Sequence, residues 1–238
     1  MVNKPRLTFL GAAQNVTGSR YLLEYQNSRI LIDCGLYQER DLRARNWEPF
    51  PVPPSSINAV ILTHAHVDHC GCLPRLVKDG FSGPVYGTPA TAEIAAVVLK
   101  DTGHLQEEDA AFKSQRHSNE GRQGPYPVVP LYTQADVEAT LPLFKTVEYG
   151  KQITVADGFE AGFHDAGHIL GSAHVRLHIG NNGPRRTIVF SGDIGRWDRL
   201  WASWDGACDP EQAATNRIML SAATITHDPL IIPPQTLD

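Results

Sequence analysis

Between His64 and His69 the chain reads His-Ala-His-Val-Asp-His, just after the apolar run Asn58–Leu62, which ends at Thr63. Imidazole nitrogens and carboxylate oxygens are donors that zinc accepts, and zinc sites that also do chemistry leave a position for water. His64 and His66 alternate along an extended backbone, so their side chains fall on one side. Asp68 and His69 follow where the chain turns. One loop can then face two adjacent metals, which in two-metal sites sit about 3.5–4 Å apart. Donors packed this densely behind an apolar strand do not read as a chance cluster of polar loop residues.

Three further positions look like completing groups. Asp33 closes Leu31-Ile32-Asp33-Cys34-Gly35, His168 lies in Ala166-Gly167-His168-Ile169-Leu170-Gly171-Ser172, and Asp193 lies in Phe190-Ser191-Gly192-Asp193-Ile194-Gly195. Each alone is an ordinary turn residue. Together, Asp33 and Asp193 sit at strand ends before glycine, where side chains can be aimed into a shared rim. Cys34, Cys70, Cys72 and Cys208 are read differently. Cys70-Gly71-Cys72 is too tight for the common Cys-x-x-Cys patterns, so these are expected to be small buried thiols.

The elements that must position these groups follow from periodicity. Arg6–Leu10, Tyr21–Tyr25, Arg29–Ile32 and Asn58–Leu62 read as strands, the middle two joined as a hairpin through Gln26-Asn27-Ser28. Asp68–Lys78 has helical spacing at Leu73, Leu76 and Val77. Val85-Tyr86 is a short strand. Thr88 as N-cap and Pro89 at the first position open a helix over Ala90–Lys100. Residues 101–130 hold no clear periodicity and read as a partly helical excursion or lid over the site. Gln134–Leu143 reads as helical. Gln152–Val155, Phe159–His164, Ala173–Ile179 and Thr187–Phe190 read as a second set of strands. Strands, helices, then strands predicts an α/β molecule of two sheets packed face to face with helices outside.

The 238 residues suit one sizeable domain, or a domain plus a fragment. A net charge of −5 argues against a whole-surface grip on nucleic acid, though not against a local basic groove. The N-terminus has too short an apolar run for a signal peptide, and no stretch approaches the roughly 20 apolar residues of a membrane span. A reducing, cytoplasmic setting is the expectation. His104 and His117 read as surface residues of the excursion. His164 and His174 read as packing groups or as supports of the third motif, and His178 as strand decoration.

These words resemble the metallo-β-lactamase superfamily, over roughly residues 6–199. GAAQNVTGSRYLLE, HILGSAH and FSGDIGR are similar to the branch that carries a β-CASP domain, which includes RNA-processing ribonucleases. The resemblance implies an αββα four-layer sandwich with a metal site at one edge and two zinc ions. One ion would take His64, His66 and His168, the other Asp68 and His69. Asp193 would bridge them, and Asp33 would support the ligands from behind. It also implies hydrolysis of RNA phosphodiester bonds by a metal-activated hydroxide held between Asp68 and Asp193.

The sequence departs from that branch after Arg199. The expected continuation supplies an acidic residue and two histidines, and none is recognisable in 200–238. Residues 1–199 therefore read as the metallo-β-lactamase-like domain and 200–238 as an atypical, non-native or disordered tail. A truncation or frame shift near Trp197–Trp201 is favoured over a private C-terminus, because motif identity stops abruptly. The second ion is then one ligand short, and weak or absent nuclease activity is expected of this chain. Two other functions share the site: a hydrolase of small esters, thioesters or lactams, and a non-catalytic metal-binding module.

Overall fold

The computed structural model describes residues 4–121, 128–181 and 185–195, and the backbone of 217–220. Two sheets face each other. The first has the strand order β1 (Arg6–Phe9), β2 (Tyr21–Tyr25), β3 (Ser28–Ile32), β4 (Ala59–Ile61), β5 (Val85–Gly87) and β6 (Phe144–Thr146). β1 to β3 are antiparallel neighbours, and β3 to β6 run parallel. The second has the order β11 (Arg217–Leu220), β10 (Arg186–Phe190), β9 (Ala173–Ile179), β8 (Phe159–Asp165) and β7 (Gln152–Ala156).

Side-chain alternation explains the pairing of the layers. Along β9, Ala173, Val175, Leu177 and Ile179 are buried among Leu23, Ile30, Ile32 and Ile61 of the first sheet. His174, Arg176 and His178 therefore face the other way. The first sheet is apolar on both sides, as central parallel strands are. Its second face, with Leu22, Leu31, Val60 and Leu62, packs under Leu73, Leu76, Leu99 and Val137 of the helices. The helices are α1 (Val67–Cys70), α2 (Leu73–Lys78), α3 (Pro89–Glu120) and α4 (Gln134–Thr140). Among the described residues, no helix packs on the outer face of the second sheet, so the described layers run α, β, β.

The differences from the sequence reading have local causes. Residues 68–78 form two short helices instead of one, broken at Gly71-Cys72. The excursion after Lys100 is mostly a continuation of α3, which runs unbroken to Glu120 and stops at Gly121, a left-handed cap (φ 61°). Its buried residues, Thr91, Ala95, Leu99 and Gly103, end there, leaving its second half without a buried face. Ion pairs one turn apart support that half: His104 with Glu108, Lys113 with Asp109, and Arg116 with Glu120. β6 had no sequence signal, since its Lys145 and Thr146 are exposed. β11 lies inside the 200–238 segment and pairs in parallel with β10, so these four residues belong with the sheet. The rest of that segment, Cys208 included, lies outside the described residues. No described helix is long and apolar enough to cross a membrane.

Candidate metal centre

The topology brings all the candidate ligands to one edge. β3 and β4 are parallel, so Asp33 and His64 leave the first sheet at the same end. β8 and β10 are both antiparallel to β9, so the loops bearing His168 and Asp193 leave the second sheet together. His66 is the N-cap of α1, while Asp68 and His69 lie within it.

Among the described residues, His64, His66, His168 and Asp193 place one donor atom each within 4.8 Å of one another, in a group fit for a divalent metal ion. His66 Nδ1 lies 3.0 Å from His64 Nε2 and 3.1 Å from His168 Nε2. Three ring nitrogens at this range cannot all carry protons, so lone pairs converge on one point. Burial, then the charge of His69, lowers the His64 pKa to about 2, which keeps it a neutral donor. Burial also lowers His168.

Asp193 stands between two groups. Its Oδ2 is 3.7 Å from His64 and 3.5 Å from His168, and its Oδ1 is 3.4 Å from His69 Nε2. Asp68 Oδ2 is 3.8 Å from the same His69 nitrogen. His69 thus meets the other oxygen of Asp193 and Asp68 approaches the same His69 nitrogen, while the His69 ring also packs 4.0 Å from that of His64. The His69 hydrogen bond outweighs burial and, with the neighbouring imidazoles, holds the Asp193 carboxyl well below the usual carboxylate range.

Asp33 stands behind this second group. It is buried, takes a left-handed backbone (φ 57°), and its carboxylate accepts from Thr63 N, Thr63 Oγ1 and His69 Nδ1, each at 2.8 Å. An ionised carboxylate only accepts, so Nδ1 of His69 carries its proton toward Asp33 and Nε2 is aimed at Asp68 and Asp193. Burial opposes a charge on His69, but Asp33 and the hydrogen bonds to Asp193 and Asp33 raise its pKa to about 10. A metal ion bound at Nε2 would take the place of that second proton.

Several positioning residues escaped the sequence reading. Thr63 joins three segments: besides its two bonds to Asp33, its carbonyl accepts from Ala173 N of β9 at 2.8 Å. Ser172 Oγ accepts from the amides of His168 and Ile169 at 3.1 and 3.2 Å, pinning the His168 loop. The hydroxyls of Thr88 and Thr91 each donate to Gly171 O at 2.7 Å, so the cap that starts α3 also holds that loop. Ser19 Oγ lies 3.4 Å from His69 Nε2. Gly35 is required where β3 passes α1, because a Cβ there would lie 1.6 Å from Asp68 O. Position within the quoted motifs was the available signal for Ser19 and Ser172. Thr88 was legible only as a helix cap, and nothing in sequence spacing pointed to Thr63 or Thr91.

The other histidines lie elsewhere. His164 and His174 stack on each other, with ring centroids 5.0 Å apart, on the outer face of the second sheet. His178 bonds Thr187 on that face. Cys34, Cys70 and Cys72 are buried free thiols, as expected.

Residues 15–211 match the model of the metallo-beta-lactamase superfamily, past the residue-199 boundary. The chain is 37% identical over 194 residues to Ribonuclease TTHA0252 of Thermus thermophilus, covering 82% of this chain and 39% of that protein. It is 37% identical over 190 residues to transcription termination factor FttA of Methanosarcina mazei, covering 79% of this chain and 27% of that protein. The chain thus spans well under half of each relative. Among solved structures, a B3 metallo-beta-lactamase with an active-site glutamic acid superposes at TM-score 0.52 and 16% identity, covering 94% of this chain and 80% of that chain.

Proposed function

Because this chain belongs to the metallo-beta-lactamase superfamily, we propose that it hydrolyses phosphodiester bonds in RNA, as the ribonuclease branch with a β-CASP domain does. The observation that carries this reading is the division of Asp193, whose two oxygens face separate donor groups. In this reading His64, His66 and His168 would hold one zinc ion, Asp68 and His69 would hold a second, and Asp193 is within reach of both groups. Zinc suits a donor set of three imidazoles and a carboxylate. Such ions supply acidified water, with a pKa lowered from 15.7 to about 7, and positive charge beside the phosphate.

The protein's own residues do the rest. Asp68 and Asp193 present carboxylates that orient an attacking water and accept its hydrogen bonds. Asp33 holds the His69 ring so that its proton stays on the far side of the site. The choice of RNA is supported by the names of the relatives and by the wording around residues 11–24, 168–174 and 190–196. It extends to this chain by similarity over part of their length. A second ion would have Asp68, His69 and Asp193 as its described ligands, one donor fewer than the first group, and would be held more weakly of the two.

A substrate panel tests the reading. The chain, loaded with zinc, is given single-stranded RNA, chromogenic esters and thioesters, and a chromogenic lactam. Slow scission of RNA that a chelator abolishes, with the other substrates turned over less, is the expected pattern. Faster turnover of an ester or lactam, or RNA scission indifferent to chelator, would overturn it.

A further inference from the structure

A groove of about 520 Å³ opens beside the metal loop. One wall is the 3-10 turn Arg43–Trp47, and the other is the second half of α3. Leu36 and Val67 form part of its floor. The Leu36 amide donates to Val67 O at 3.0 Å, and Val67 lies between His66 and Asp68. The groove is therefore continuous with the loop that carries the centre.

Its charge is opposite to that of the whole chain, which is −5. Arg43 stands on one wall, and Lys113 and Arg116 on the other, with Asp109 the one carboxylate among the described lining residues. Lys113 pairs with Asp109, and Arg116 pairs with Glu120 at 3.0 Å. Both pairs are more than a third exposed, where an ion pair is worth about 0–1 kcal/mol and yields readily to a phosphate. Beside these cations, Trp47 and the exposed Val129 offer apolar surface. Cations that track a backbone, with apolar and aromatic surface between them, are the equipment for binding a single strand. The groove also accounts for the reach of α3 past Gly103, where no residue is buried.

We propose that this groove holds single-stranded RNA running away from the metal centre, with Arg43, Lys113 and Arg116 on its phosphates. The inference rests on RNA being the substrate, and its test separates the two. Arg43→Glu and Arg116→Glu are combined in the full chain, both positions being exposed and outside the centre. Binding of a fluorescent 12-nucleotide RNA is followed by anisotropy between 50 and 200 mM KCl, beside hydrolysis of bis(4-nitrophenyl) phosphate. Each phosphate contact contributes about 0.7 to the slope of log affinity against log salt for a single strand. The double variant is expected to bind at least about 10-fold more weakly, with a slope shallower by about 1.4. Its hydrolysis of the small diester should be unchanged.

An unaltered affinity and slope in the double variant would overturn the groove assignment. So would absence of RNA binding by the parent chain, or equal affinity of the parent for polyglutamate. Groove-dependent RNA binding by a chain that hydrolyses neither RNA nor the small diester would instead overturn the catalytic reading alone.

Discussion

The Asp33 carboxylate receives its three hydrogen bonds at 2.8 Å while standing behind the ligands. Its charge and geometry are both used, one to fix the His69 proton and the other to tie Thr63 to β3. Supporting groups of this kind typically govern metal affinity by about 10–100-fold. If the proposed second ion binds at Asp68 and His69, Asp33→Asn is expected to weaken it by that range and to spare metal at the three-histidine group, as measured by competition with a chromophoric chelator. Unchanged affinity for the second ion would contradict the role. Glu39 offers a separate test by pH. Burial opposes its charge, but together the hydrogen bonds from Thr17 and Val16 outweigh it and lower its pKa from 4.5 to about 2. A lowered carboxylate contributes stability that is full above its unfolded pKa and is lost as pH falls through the folded one. Glu39→Gln should thus melt below the parent at pH 7, with the gap closing between pH 4.5 and pH 2. A gap that persists at pH 2 would contradict this.

At the scale of elements, α3 behaves as two halves with different supports. Leu99 is fully buried under the first sheet, whereas Phe112 is 66% exposed. Leu99→Ala should cost about 2–5 kcal/mol in chemical denaturation. Phe112→Ala should stay within about 0.5 kcal/mol. Comparable losses would mean that the second half is packed after all. The same division explains what could be read in advance. Thr88-Pro89 and the apolar spacing to Lys100 announced the helix, because a cap and a buried stripe leave local signals. From Asp101 onward the helix rests on charged pairs and on tethers such as Gln106 to Leu131 N at 3.0 Å and Glu107 to Gln134, which apolar periodicity does not register. β9 was legible to the residue because its alternation is strict. The break at Gly71-Cys72 was not, because apolar spacing continues across it.

For the whole molecule, the ligand set matters as a cross-link. His64 and His66 come from the end of β4 in the first sheet, while His168 and Asp193 come from the loops after β8 and β10 in the second. An ion held by all four joins the sheets at their shared edge, adding to the core of Phe159, Phe163, Phe190 and their partners. Ligand binding stabilises the folded state by about 4.1 kcal/mol at a thousand times the dissociation constant. Chelation is therefore expected to lower the melting temperature of the chain, and zinc to restore it. A melting curve indifferent to chelator would contradict the cross-link. The grouping of His64, His66, His168 and Asp193 was legible from spacing and motif order, since donor chemistry restricts the residue types. The residues that aim them were less so: Thr88 and Thr91 act on Gly171 across about eighty positions of sequence, a contact that only the fold creates.

The claim on which the rest depends is that His64, His66, His168 and Asp193 form a metal site, and metal content tests it most directly. The purified chain and its His168→Ala variant are desalted and measured by inductively coupled plasma mass spectrometry. The expected result is zinc retained by the parent and lost from the variant, with both keeping the same far-ultraviolet circular dichroism. A parent chain without any divalent metal after incubation with zinc, or a variant that retains the parent's content, would contradict it.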